Sequence, residues 1–397
     1  MFQFMNKLNA PSYRWLVLLA SIYATITYAF SFMGIPPLIT PIMQDFGISY
    51  AQVGLLMSMA IIPGILLPML IDELLTHYGV RLVGSIASIF IVIGCFITAV
   101  SSSFYIALIG RLILSCGGTV IVTAAPMIIA TWFPHEELGK AMGIYTTGMP
   151  IASTSSYLLA NTFTVTQGWR YQFYIGTMIA LVNLVLVFLI VKKGPINQER
   201  QDQNNHGMAI RQHIKNIEIW KAGALWFLFS CSIVSFTTWA PSLFVNFKSI
   251  DPGYANTIIS AFWLIQIPGC LVFGWISDRL GKRRPLLITG CIVIVIFTLS
   301  LIYPINTILV ATLTLLLGFL AMMIPPNIMA TPPEILGLAS AGVGFGVLEI
   351  CLNVGNGLGP PLIGLILDLT QSPAFSLMGI AMFPAFGLLF AYVLKIK

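Results

Sequence analysis

Twelve apolar runs, each long enough to cross a bilayer, follow one another along this 397-residue chain. They fall at 15–38, 51–76, 82–101, 104–132, 139–162 and 171–192, then at 220–245, 253–277, 285–303, 307–330, 337–367 and 374–395. A hydrocarbon core about 30 Å thick takes roughly 20 residues of helix. Without water in that core, backbone polar groups must be paired within a helix or a closed barrel. A barrel would read as alternating segments of about ten residues. These runs are continuous, so they predict helices. The scarcity of charge agrees: 58% of residues are hydrophobic and 8% charged, against about 25% charged in an ordinary soluble domain. That excludes a soluble enzyme and a disordered chain alike. The first run is too long for a signal peptide and lacks a small-residue cleavage site, so it reads as a retained first span.

The net charge of +6 raises the question of nucleic acid, and the positions of the charges answer it. With the N-terminus in the cytoplasm, 16 of the 19 Lys and Arg fall on the cytoplasmic side, leaving Arg111, Arg170 and Lys248. Such an imbalance orients a membrane protein. It predicts both termini in the cytoplasm, an inner-membrane location in a prokaryote and no nucleic-acid partner. The six cysteines lie inside apolar runs without zinc or redox spacing. The four histidines fall in expected cytoplasmic loops. No metal set, no cofactor and no nucleophile–base cluster is therefore expected, and the chain is not read as an enzyme.

The two halves resemble each other. Ile62-Pro63-Gly64 and Asp72 of the second span, followed by Gly79 and Arg81, recur as Ile267-Pro268-Gly269 and Asp278 at the end of the eighth, followed by Gly281 and Lys282, offset by 205 at the proline and 206 at the aspartate. Glu136-Glu-Leu-Gly-Lys-Ala141 aligns with Glu334-Ile-Leu-Gly-Leu-Ala339 at an offset of 198, which places Gly148 on Gly346. A polar stretch from Asn197 to His206 separates the halves, and beyond it Ile210, Ile214 and Ile217 share one helical face. The expected architecture is an all-α membrane protein of twelve transmembrane helices in two six-helix bundles. The bundles span 1–192 and 220–397, and a cytoplasmic linker with a short interfacial helix occupies 193–219. Parallel repeats of this kind are a secondary-transporter signature, with sites near the midplane at the repeat interface.

Gly274-Trp-Ile-Ser-Asp278-Arg279-Leu-Gly281-Lys282-Arg283-Arg284 matches G-x-x-x-D-R-x-G-[KR]-[KR]-[KR] at every defined position. In this the chain resembles the major facilitator superfamily. The copy around Asp72 is degenerate, with Pro68 for the glycine and Glu73 for the arginine. Gly110-Arg111, Trp132-Phe133-Pro134 with Gly139-Lys140-Ala141-Met142-Gly143, and Gly168-Trp169-Arg170 are similar to the same family, so the resemblance covers the whole chain. Leu138 stands where the family often has arginine, and Ser115 where its fourth-span motif has glycine. The resemblance implies alternating access, with Asp72, Asp278, Arg279, Gly281, Lys282 and Arg283 forming a gate latch. A purely topogenic basic loop is the plainer alternative. Asp278 ends an inward-running helix, where an anion is unfavourable to the dipole and needs a partner.

Most of the 13 acids lie at span ends or in loops, and Glu349 does not. It is 12 residues from Gly337, about 18 Å along a helix, where charge costs roughly 2.5–3.5 kcal/mol. Its repeat mate is Ile151, and Asn353 and Asn356 follow it. A proton carrier or a ligand for a cationic or hydroxylated group fits, against a static buried hydrogen bond. Arg111 either snorkels outward or points inward to an anion. Gln266 and Asn327 lie deep in apolar runs, and Tyr28, Thr238 and Trp239 lie in spans that line the cavity by family resemblance. Each of these has a packing role as its plainer reading.

The leading function is a proton-coupled secondary transporter for a small polar or anionic organic solute. Its partners are that solute, protons and the lipid bilayer, and a monomer is expected. Export of organic cations or drugs is the alternative, and a non-transporting receptor or scaffold on the same fold is the reading from another class. Nitrate-type members use an arginine in spans 2 and 8, and neither core has one here. Cation-drug exporters often carry an acid in span 1, which is also absent.

Overall fold

The structure, a computed structural model, describes residues 10–59, 61–192, 194, 216–303, 306–337 and 341–395, and every regular element among them is helical. Nine helical segments among these residues are long and apolar enough to cross a membrane, and Arg284–Ser300 is a shorter apolar helix. Proline decides where several expected runs break. The first helix, α1 (Ala10–Phe32), is followed by a 3-10 turn at Pro36–Leu38 and by α2 (Ile39–Phe46). The second expected span is three pieces, α3 (Tyr50–Met59), α4 (Pro63–Leu66) and α5 (Pro68–Tyr78). Pro63 and Pro68 each open a helix, where the missing N–H leaves no bond unmade.

Next come α6 (Val80–Val100), α7 (Phe104–Trp132), α8 (His135–Thr146), α9 (Gly148–Gln167) and α10 (Arg170–Ile190). The chain then forms α11 (Ile217–Lys248), α12 (Pro252–Leu280) and α13 (Arg284–Ser300). The tenth expected span breaks into α14 (Thr307–Ala321) and α15 (Pro325–Met329), with Pro325 and Pro326 opening α15, and α16 (Thr331–Leu336) follows it. The last helices are α17 (Ala341–Thr370), which carries Pro360 and Pro361 inside it, and α18 (Pro373–Val393). Residues 195–215, which hold most of the expected linker, lie outside the described residues. Ile217, assigned to the interfacial helix, opens α11 instead, where the Asn216 side chain accepts from Glu218 N–H.

The chain forms two compact units. One holds Met1–Gly34 and Ile62–Glu199, the other Ile35–Ile61 and Arg200–Lys397. In the first, buried residues of α1, α6, α7 and α10, among them Val17, Ala24, Ile91, Leu114 and Ala180, make one core. In the second, α11 is buried over most of its length and packs on α17 and α18, while α3 packs on α17.

Candidate functional site

Glu349 lies on α17, about 12 Å from the start of a helix about 45 Å long. It is exposed, and a side chain added at Gly346, one turn earlier, would meet nothing within 4 Å. The exposed Leu358 lies nine residues on, about 180° round the helix. Glu349 therefore turns away from the leucine face. Its Oε1 accepts from Asn353 Nδ2 at 3.2 Å, and the same amide donates to the Glu349 carbonyl at 3.0 Å. No basic side chain pairs with Glu349 among the described residues.

The neutral candidates separate into two kinds. Gln266 on α12 and Thr238 on α11 are 8% and 1% exposed, and Gln266 Nε2 and Thr238 Oγ1 find no hydrogen-bond partner among the described residues. The Asn356 Oδ1, on α17, has none either. An unpaired buried polar atom costs about 1–3 kcal/mol, a cost that water or a polar solute removes. By contrast, Trp239 and Asn327 are committed. Trp239 Nε1 donates to the Pro360 carbonyl at 2.9 Å, and its ring meets Tyr50 edge-on at 5.6 Å. Asn327 Nδ2 donates to the Met323 carbonyl at 2.8 Å, and its Oδ1 accepts from Ser277 Oγ.

Arg111 is fully buried on α7, so it does not snorkel. Nη1 donates to the Ser31 carbonyl at 2.8 Å and Nη2 to the Phe32 carbonyl at 3.0 Å. These are the last carbonyls of α1, where a cation also meets the negative end of the helix dipole. The guanidinium stands 5.6 Å over the Phe32 ring. Tyr28 is part of the same cluster and is hydrogen-bonded to Ser115, the residue in place of the family's glycine. Arg111 thus fixes the end of α1 just before the chain leaves the first unit at Gly34.

At the basic loop after α12, Gly281 takes φ +60°, the left-handed conformation that ends the helix, and its N–H donates to the Ser277 carbonyl at 3.0 Å. Arg283 turns back from there. Its Nε reaches Glu334 Oε1 of α16 at 2.6 Å and its Nη1 reaches Ser277 Oγ at 3.3 Å. Arg279 stacks 5.0 Å over Trp275, and Lys282 is exposed. Asp72 and Asp278 fall on α5 and α12, and their side chains lie outside the described residues.

One residue escaped the sequence reading. The Asp368 carboxylate, near the end of α17, accepts from Tyr50 N–H at 2.9 Å and Ala51 N–H at 2.8 Å, capping α3. The helices then run in close contact. A Cβ at Gly54 would lie 2.5 Å from Pro361 Cα, and Ser58 Oγ donates to the Gly357 carbonyl. The signal was present: an acid in the last turns of a helix opposes that helix's dipole and requires a partner.

The sequence profile of the Major Facilitator Superfamily matches residues 22–360 and, in a second match, 248–397. A hexuronate transporter of Bacillus subtilis is 22% identical over 357 residues, covering 85% of each chain. A probable nitrate/nitrite antiporter of Thermus thermophilus is 24% identical over 259 residues, which is 62% of this chain and 57% of that one. Among solved structures, a bacterial homologue of the human lysosomal transporter Spinster, inward-facing and unoccupied, superposes with a TM-score of 0.78 at 16% identity, covering 96% of this chain and 95% of that one. A D-xylose–proton symporter gives 0.77 at 16% identity, covering 96% and 98%. At such identities the superpositions establish the fold.

Proposed function

The chain belongs to the Major Facilitator Superfamily, whose members are secondary transporters rather than enzymes, and on that premise we propose that it carries a small polar or anionic organic solute in exchange or symport with protons. Glu349 is the observation that carries this reading. It is a carboxylate on an apolar helix, turned from the leucine face, hydrogen-bonded to one amide and paired with no base among the described residues. Charge within a bilayer costs about 2.5–3.5 kcal/mol, so proton uptake lets the residue cross between states as a neutral acid. The unpaired polar atoms of Gln266, Thr238 and Asn356 supply hydrogen bonds to the solute. Arg111 serves as a positioning residue at the end of α1. The loop motif acts as the latch through Arg283 and Glu334. The monomeric state, the bundle boundary at 193–219 and cytoplasmic termini belong to the same reading.

The test is uptake by proteoliposomes from a panel of organic anions and polar metabolites, with and without a pH gradient, for wild type and Glu349→Gln. The variant is expected to lose gradient-driven accumulation and keep solute exchange. Accumulation at the wild-type level in the variant removes the proton role. A second reading, export of an organic cation, is favoured by the same unpaired carboxylate. It predicts that a lipophilic cation binds wild type and that Glu349→Gln abolishes that binding.

A further inference from the structure

At one end of the first unit a groove of about 420 Å³ opens between the end of α5, the first turns of α6 and the end of α10. Tyr78, Arg81, Leu82, Ser85, Phe188 and Lys192 line it, and among the described residues no carboxylate does. Three independent features point to an anion there. First, α6 has Gly79 as its N-cap, with no side-chain cap and no acid in its first turn, so the positive end of a 21-residue helix lacks a counter-charge in its own first turn. Second, Arg81 and Lys192 bring two cations that meet aromatic rings rather than acids. The Arg81 guanidinium lies 5.9 Å over Phe188, and Lys192 Nζ lies 5.1 Å over Tyr13. Third, Ser85 is only 8% exposed, yet its Oγ has no hydrogen-bond partner among the described residues.

The surroundings say what kind of anion. Leu82, Ile86 and Ile89 form an exposed stripe along α6, and Val185 and Phe188 another on α10, which packs beside it. A free phosphate has no use for two apolar tracks leading out of its site, whereas a lipid lays its chains along them. Basic pockets between spans at the cytoplasmic surface hold anionic headgroups in this way. We propose that this groove binds the phosphate of an anionic phospholipid, with its acyl chains along the α6 and α10 stripes.

The full-length protein, purified in detergent, is titrated with phosphatidylglycerol, with phosphatidylcholine of the same chains and with inorganic phosphate. Binding is read by native mass spectrometry and by thermal unfolding. Phosphatidylglycerol is expected to bind in preference to phosphatidylcholine and to raise the unfolding temperature, while inorganic phosphate alone does not. Each basic residue near an anionic headgroup contributes about 1 kcal/mol. Arg81→Gln with Lys192→Gln should therefore weaken phosphatidylglycerol about thirtyfold and leave phosphatidylcholine unchanged. Leu82→Glu guards against a folding defect. A carboxylate in the first turn favours the helix dipole, so α6 is kept while the phosphate is repelled. Equal binding of the two lipids, stabilisation by inorganic phosphate alone, or an undiminished preference for phosphatidylglycerol in a folded variant overturns the proposal.

Discussion

Arg111 and Glu349 show how differently two charges inside apolar runs are handled. Arg111 spends both terminal nitrogens on carbonyls at the end of α1, and hydrogen bonds of that charged kind contribute roughly 1.5–3 kcal/mol each. Arg111→Leu should therefore lower the thermal unfolding temperature in detergent by several degrees. Arg111→Lys should restore only part of the loss, because an ammonium cannot fork across two carbonyls. If Arg111 were a solute ligand instead, both variants would unfold like wild type and only solute affinity would fall. Glu349 has no such anchor beyond one amide, and this looseness suits the proton uptake proposed for it. The sequence pointed to both residues by the same rule, that charge in a membrane is expensive. It left the direction of Arg111 open because the acceptors are backbone carbonyls about 80 residues away, and every residue type carries those.

Between elements, α3 and α17 fit closely. Their contact combines a carboxylate on a helix N-terminus at Asp368 with near-contact of backbones at Gly54 and Pro361. Loss of an N-cap costs about 0.5–2 kcal/mol. Asp368→Ala should accordingly speed hydrogen exchange of the Tyr50 and Ala51 amides roughly threefold to thirtyfold. Asp368→Asn, which keeps one acceptor, should do less. Unchanged exchange in the alanine variant would mean that the cap holds nothing. The sequence does not show which prolines break a helix. Pro63 and Pro325 open new helices, whereas Pro268, Pro360 and Pro361 lie inside continuous ones. Neighbouring helices decide whether a proline's freed carbonyl is satisfied, and a single chain read in order does not contain that information.

For the molecule as a whole, orientation is the property the charges predict most directly. A fluorescent reporter fused after Lys397 should fluoresce and an alkaline phosphatase fused there should be inactive, because 16 of the 19 basic residues fall on the side assigned to the cytoplasm. The opposite pair of signals would invert the topology. Class, helical fold and family were legible in the sequence, since they rest on hydropathy, on repeat offsets and on the motif from Gly274 to Arg284. Gly281 ends α12 and Arg283 turns back to pair with Glu334, which stood out in the sequence only as a repeat match. Trp239 and Asn327, candidates whose plainer reading was packing, are bonded to their neighbours. Gln266 and Thr238 remain with polar atoms unpaired among the described residues. What the sequence determined by itself is what local composition sets: which segments must be helical, and which charges are costly. What only the tertiary structure decided is who meets whom, because hydrogen bonds and close packing depend on distances between residues far apart in the chain.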